Sequence, residues 1–270
     1  MNKNKTKVLF PIGAKLVIII SVLLLVSLGI VIFMVSVIST EDVQRTAEDN
    51  NFTLNYRAGQ QAEGYLKSIQ DAVILYLNMQ DRILSGQEGG METDFFSRNK
   101  HIAAIQTESL FITNQAFLFS SGITPEDIQN HFNTISENTV RPDIMALLNA
   151  SPLFNHSMIS AGFTRSKGAE TEIVKVLFIP DELSESFGTG TNTSFFVTDS
   201  GDLLLHPDND LVLAGANFSM LPIVNTMLEE EDKGRQITFA DVTGAKYFGA
   251  YYRLDGADCA VITTIPHEVV

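Results

Sequence analysis

The sequence predicts an α+β protein with one membrane-spanning helix, a long helix after it, and two modules built on antiparallel sheets. Three observations carry this. An uninterrupted apolar run stands near the N-terminus, and the stretch after it is free of proline and has apolar side chains at helical spacing. Everything beyond alternates strand-length apolar runs with turn residues and short helix signals. At 270 residues the chain has room for one large domain or two small ones, taking roughly 150 residues per domain. A long solenoid and a multidomain enzyme are thereby excluded. Apolar residues make up 45% and charged residues 19%, enough to bury a core. The mean hydropathy of +0.12 is high for a soluble domain, and its cause is the N-terminal run.

Residues 16–38, LVIIISVLLLVSLGIVIFMVSVI, are 23 residues without a charge, and roughly 20 helical residues cross a bilayer's hydrocarbon core. A cleaved signal peptide has a shorter apolar core, about 7–15 residues, and a small-residue cleavage site. The run therefore reads as an uncleaved anchor. Lys3, Lys5, Lys7 and Lys15 precede it with no acid among them, which puts residues 1–15 in the cytoplasm and the rest outside. The expected location is a cell inner membrane, with a single N-terminal span and the bulk of the chain periplasmic or extracellular. All 32 acidic residues lie after Ser39, against 14 of the 18 basic ones. A net charge of −14 repels phosphate backbones and excludes a nucleic-acid partner. Cys259 is the one cysteine, so neither an intramolecular disulfide nor a Cys-based zinc site can form; within CAVITTIP it reads as core. The sequons at Asn51, Asn149, Asn155, Asn192 and Asn217 matter only in a eukaryotic secretory route.

Residues 40–86 contain no proline, and Ala62, Leu66, Ile69, Val73, Tyr76 and Ile83 recur at spacings of four and three, with Gln80 the polar break. That predicts one helix continuous with the membrane span, ended by the glycines of SGQEGG. Its seam has heptad period, and two uses of it stay open: packing on its own domain, or pairing with a second copy as a homodimer through the long helix.

A first module is expected over residues 95–187. IAAIQTESLFI, AFLFSS, IMALLNASPLF, MISAGF and EIVKVLFIP have strand length and pattern. Thr124-Pro125-Glu126-Asp127 starts a helix, with an N-cap threonine, proline at the first helical position and acids in the first turn; it ends before Pro142. DELSESF after Pro180 is a second short helix that Gly188 can stop. GTGTNT then reads as a linker. A second module follows over residues 192–268. SFFVT and DLLLH flank the tight turn Asp199-Ser200-Gly201, and SMLPIVNTMLEEEDKG is a helix closed by Gly234. RQITFA and KYFGAYYRL flank Asp241-Val242-Thr243-Gly244, and CAVITTI is the last strand.

No nucleotide-binding, nucleophile-elbow or zinc-protease motif occurs. His101, His131, His156, His206 and His267 are widely spaced, so no metal site is expected, and HPDND lacks the glycine and distal glutamate of a calcium loop. Gly188-Thr189-Gly190 precedes a strand, so it is not a phosphate cradle. Neither catalytic residues nor a cofactor are implied, and the chain as it stands is not expected to be an enzyme.

FFVTDSGDLLLHPDNDLVLAGANFSMLPIVNTML followed by KGRQITFADVTGAKYFGAYYRLDGADCAVITTIP resembles the membrane-proximal half of a double Cache sensor domain. The pattern is an apolar strand, Asp-x-x-Gly, an apolar strand, His-Pro, a helix and a glycine-initiated sheet. Residues 101–187 fit the membrane-distal half by order of elements. FPIGAKLVIIISVLLLVSLG with VQRTAEDNNF is similar to the start of spirochaete-type receptor cyclases. The resemblance implies two PAS-like modules that bind a small-molecule ligand, in most relatives through the distal one. The amino-acid-binding branch uses an Arg-x-Trp pair, a tyrosine and an aspartate near the position of Asn155. This chain has no tryptophan, so that mode is not expected. Phe117, Phe119, Asn149, Asn155 and His156 remain as candidate ligand-binding residues, an apolar surface with a few polar handles; Asp199, Gly201, His206 and Pro207 are expected to set turns.

The implied function is that of a small-molecule sensor in a transmembrane receptor, passing ligand binding to an output domain outside this chain. A class III nucleotide cyclase is the preferred output; a methyl-accepting chemotaxis module or a diguanylate cyclase are alternatives. A complete membrane-anchored solute-binding or adaptor protein is the reading from a different class.

Overall fold

The computed structural model describes residues 12–82, 88–136, 140–168, 170–187 and 192–269. Lys3, Lys5, Lys7, Ile83, Gly86 and the Gly188-Thr189-Gly190 segment, all used above, lie outside them. The chain divides into two compact units, residues 1–47 and 48–270. In the first, Ile12–Ile38 is a 27-residue helical stretch of mean hydropathy 3.3, long and apolar enough to cross a membrane. It is the beginning of α1 (Ile12–Arg82).

The second unit carries two five-stranded antiparallel sheets. The first comprises β1 (Ile102–Gln106), β2 (Phe111–Thr113), β3 (Ala146–Asn149), β4 (Ile159–Lys167) and β5 (Glu170–Phe178), in the order β2-β1-β5-β4-β3. With it go α2 (Glu88–Arg98), α3 (Gln115–Ser121), α4 (Pro125–Thr134), α5 (Ser151–Phe154) and α6 (Asp181–Phe187). The second sheet comprises β6 (Thr193–Thr198), β7 (Leu203–Leu205), β8 (Gly234–Ala240), β9 (Lys246–Arg253) and β10 (Cys259–Pro266), in the order β7-β6-β10-β9-β8. Its helices are α7 (Asn209–Leu213) and α8 (Pro222–Glu229), and a 3-10 turn, His267–Val269, follows β10. Both sheets thus have one topology: the first two strands form a hairpin, and the last returns between the first and the fourth. The α+β class and the two-module plan are as the sequence predicts.

One face of each sheet packs on the second half of α1. Ala62, Leu66, Ile69, Val73 and Tyr76 share a single core with Ile105, Phe163 and Val176 of the first sheet and with Phe196, Tyr252 and Val261 of the second. Of the two uses open to the seam, the structure shows the intramolecular one. Upstream, α1 lies hard against the second sheet because Gly59 has no side chain; a Cβ there would collide with the Tyr252 ring. Asn55 Nδ2 donates to Val261 O at 2.9 Å and to Thr263 Oγ1 at 3.2 Å, so the helix is also pinned by polar contacts to β10. The opposite face of the second sheet is closed by α7 and α8 over Phe195, Leu203, Tyr251 and Ile262.

Several expectations are corrected. AFLFSS is not a strand but α3, because Asn114 Oδ1 caps it by accepting from Phe117 N–H and Gly122 closes it in the left-handed region at φ 72°. IAAIQTESLFI is two strands, β1 and β2, joined by a turn in which Thr107 N–H donates to Leu110 O. IMALLNASPLF is broken after Asn149, where Pro152 in the first turn favours α5. Gly89 and Gly90 lie inside α2 rather than ending the long helix. Gly234 opens β8 and closes nothing; α8 ends at Glu229. The helix α7 was not expected: Asp208 Oδ1 accepts from Asp210 N–H and caps it. The Thr124 helix is as predicted, with a full capping box to Asp127.

Candidate ligand-binding site

The face of the first sheet turned away from α1 is covered by α3, α4 and α5 around Ala104, Ile128, Phe132, Met158 and Leu177. Strand alternation puts every second residue there, and the register sorts them into two rows. One row runs Ala104, Leu177, Ser160, Leu148; the next runs Gln106, Lys175, Gly162, Ala146. Lys175 is therefore directly opposite Gln106 on one side and diagonal to Ser160 on the other, each within the ~5–8 Å of such cross-strand pairs, and all three share one face. A polar island interrupts an otherwise apolar surface.

The polar groups of this face are not used up internally. Ser160 is fully buried, yet among the described residues its hydroxyl has no hydrogen-bond partner, and Gln106 Oε1 has none there either. Above the sheet, α4 contributes His131, whose ring is buried against Phe132 and, at 5.7 Å between centroids, edge-on to Phe154. Neither ring nitrogen has a partner among the described residues. Burial, with the nearby Lys175 ammonium, holds the imidazole below its ordinary pKa, so it is neutral and offers one donor and one acceptor. Lys175 Nζ donates to the carbonyls of Phe132 and Ile135 at the end of α4, a cation satisfying the carbonyls that a helix C-terminus leaves open. Buried polar atoms without partners cost about 1–3 kcal/mol each. A small molecule or water that bonded to them would recover that cost.

The sequence-derived residues do not gather in one place. Phe117 lies at the margin of this core and lines a cavity of about 680 Å³ with Phe96, Lys100, Thr113 and Asn114. Phe119 is 94% exposed: two residues apart share a face on a strand but lie about 200° apart on a helix. Asn149 turns to the other module, its Nδ2 donating to Val212 O at 2.8 Å while its Oδ1 accepts from Ser151 N–H. Asn155 and His156 are exposed, Asn155 in the left-handed region at φ 52° as the cap of α5. Sequence reasoning missed Gln106, His131, Ser160 and Lys175. The signal was present in part: Lys175 and Ser160 occupy core-facing positions in EIVKVLF and MISAGF, where a structural strand alone has no use for them.

The turn residues of the second module behave structurally. Gly201 adopts φ +83° and its missing Cβ leaves room for the Ser219 backbone. His206 packs on Phe195 and Phe218 while its Nδ1 accepts from Asp208 N–H, and burial lowers its pKa.

In sequence, no family profile and no curated protein matches the chain. In structure, it is similar to the extracellular domain of soHK1S-Z6, described as a histidine kinase, with a TM-score of 0.56 and 15% identity over 87% of this chain and 98% of that one. It is similar also to the sensory domain of the Campylobacter jejuni chemoreceptor Tlp3, with a TM-score of 0.55 and 10% identity over 86% and 98%. The ligand-binding domain of the Pseudomonas fluorescens chemoreceptor CtaA, in complex with L-isoleucine, matches with a TM-score of 0.51 and 12% identity over 86% and 97%. The likeness is one of fold, the double Cache arrangement of extracellular sensory domains.

Proposed function

We propose that this chain is the extracytoplasmic solute-sensing part of a transmembrane receptor, with residues 95–187 as its membrane-distal, ligand-binding module and residues 192–268 as the membrane-proximal one. The carrying observation is that Ser160 and Gln106, on the face of the first sheet that α1 leaves free, and His131 of α4 above it have buried polar atoms with no partner among the described residues. In this reading Ser160, Gln106 and His131 hold the ligand, Phe117 packs at the margin of the same core, and the exposed Asn155 and His156 follow Phe154, which meets the His131 ring. Asn149 links the site to the second module, and Phe119 sits at its outside. The ligand is a small molecule with its own donor and acceptor groups. CtaA is a relative in fold that was solved with an amino acid; with no tryptophan here, recognition rests on other side chains.

The test is a thermal-shift screen of the detergent-solubilised chain against amino acids, carboxylates, purines and sugars. A ligand that binds only the folded state stabilises it by about 2.7 kcal/mol at a hundred times its Kd. The expected hit is weakened at least tenfold by Ser160→Ala and unaffected by Phe119→Ala. A hit insensitive to Ser160 and His131 changes, or a folded chain with no hit in the panel, counts against the site.

Ile12–Ile38 anchors the chain in the inner membrane, and the receptor works as a homodimer. Since Ala62, Leu66, Ile69, Val73 and Tyr76 are used within the chain, pairing falls to the outward side of α1, where Leu75 and Met79 are exposed. Cys259 is buried, so cross-linking of a Leu75→Cys variant in membranes reports that side alone; absence of cross-linked dimer opposes it. For the output we favour a class III nucleotide cyclase on the N-terminal resemblance, with chemotaxis and diguanylate cyclase modules as alternatives. The coding sequence following Val270 decides among them.

A further inference from the structure

The two modules meet along the free edge of β3, and one carboxyl is central to that contact. β3 is the outermost strand of the first sheet, so half of its N–H and C=O groups need partners elsewhere. The turn between β9 and β10 supplies them. Met145 N–H donates to Gly256 O at 2.7 Å, and Asp258 N–H donates to Met145 O at 3.1 Å, forming a parallel bridge between Met145 and Ala257. Two residues on, Leu147 N–H donates to Asp258 Oδ1 at 2.7 Å. The side chain thus serves as the next rung of the ladder.

The surroundings of this carboxyl are poor in positive charge. Asp258 is half-buried beside a cavity of about 480 Å³ that Leu148, Asn149 and Pro152 line from the first module and Asp199 and Asp202 from the second. Asp199 from the β6–β7 turn and Arg141 from the segment before β3 act on it, Asp202 lines the same cavity, Arg253 reaches Asp199 from β9, and Cys259, next in the chain, is buried. Arg253 Nη1 is held by Asp199 at 3.1 Å. Asp202 accepts from Ser200 Oγ and Asn217 Nδ2. Arg141 acts on Asp258 at longer range only, and among the described residues Asp258 makes no ion pair. Burial, reinforced by the like charge of Asp199, lifts the carboxyl to about 6 against the opposing pull of Leu147 N–H and Arg141.

A carboxyl raised in the closed junction binds its proton more tightly there than in an open one, where it returns toward its ordinary value of 3.8. Protonation therefore favours closure, and ionisation as pH rises through about 6 weakens it. From those two values the closed-to-open ratio is about tenfold higher at roughly pH 5 than at roughly pH 7.5.

We propose that Asp258 is a proton-responsive latch between the modules: proton uptake tightens the β3 junction, and proton release loosens it. On the sensor reading above, external acidity then modulates how firmly a solute-driven shift of the first module is passed to the second.

The test is amide hydrogen exchange of the full chain in nanodiscs, following the peptide that contains Leu147, with protection corrected for the intrinsic pH dependence of exchange. Protection at Leu147 is expected to be about tenfold higher at roughly pH 5 than at roughly pH 7.5, and Asp258→Asn, whose amide oxygen can still accept the bond, is expected to abolish that difference. Asp199→Asn moves the midpoint to lower pH by removing a like charge, and Arg141→Gln moves it higher. A flat wild-type profile, an unchanged rise in Asp258→Asn, or midpoints that do not move in opposite directions would overturn the latch. If Asp258→Asn does not fold, the Asp199 and Arg141 variants carry the test. No solute is added, so the latch can fail while the solute site stands, and the reverse.

Discussion

Arg165 shows how one residue can fasten distant parts of this fold. Its guanidinium is 3% exposed and reaches Glu172 at 2.6 Å on the neighbouring strand and Asp81 at 2.9 Å near the end of α1. Arg165→Ala leaves the buried Glu172 carboxylate with only the half-exposed Lys167 ammonium at 4.0 Å and is expected to cost about 3 kcal/mol in urea unfolding, while replacing both Arg165 and Glu172 with apolar residues restores most of it. Ser160→Ala has the opposite profile. Its hydroxyl has no partner among the described residues, so the change leaves stability of the unliganded chain equal or slightly higher in the same assay, and the loss appears only as weakened ligand binding. These roles were only partly legible. Arg165 lies in a run, GFTRSK, that any exposed strand end could have, and nothing local says that two carboxylates converge on it. Asn55 is one polar residue among many on a helix until β10 is placed beside it.

At the level of elements, patterns were readable where the signal is local and failed where a neighbour decides. The Thr124 helix, the β6–β7 turn and the strands β8, β9 and β10 follow from capping chemistry, turn residues and alternation within a few residues. AFLFSS alternates as a strand does and is a helix, because Asn114 supplies a cap that outweighs the spacing of Phe117 and Phe119. The period of the α1 seam was visible, but its partner was not, since a heptad stripe is equally served by a second helix or by a sheet. With that partner now known, Leu66→Asp is expected to unfold both modules rather than merely separate subunits, giving loss of the cooperative melt; a folded monomer instead would place the seam at a subunit interface. Gly59→Ala should cost about 1–3 kcal/mol, since the added methyl meets Tyr252.

For the molecule as a whole, pH acts through opposing groups. Burial lowers the pKa of His101, His131 and His206 below 6.5, so the stability they contribute is complete above pH 6.5 and is lost as pH falls through their folded values. Asp258 works the other way, stabilising the fold as pH falls through about 6. Melting temperature measured between roughly pH 7.5 and pH 5 is therefore expected to fall more steeply in Asp258→Asn and less steeply in His131→Phe than in the wild type; the same slope in all three would contradict these assignments. Reading residues alone was enough to find the membrane-length apolar helix, the acidic character of the remainder, the α+β class and the division into two modules. Each of those depends on composition, or on periodicity within a dozen residues. It took the three-dimensional fold to reveal that both sheets share one topology, that α1 packs on both, that Gln106, His131 and Ser160 keep unpartnered polar atoms on one side of the first sheet, and that Asp258 bridges the modules. Each of these rests on contacts between residues tens to hundreds of positions apart, set by strand register and helix packing, which no local pattern encodes.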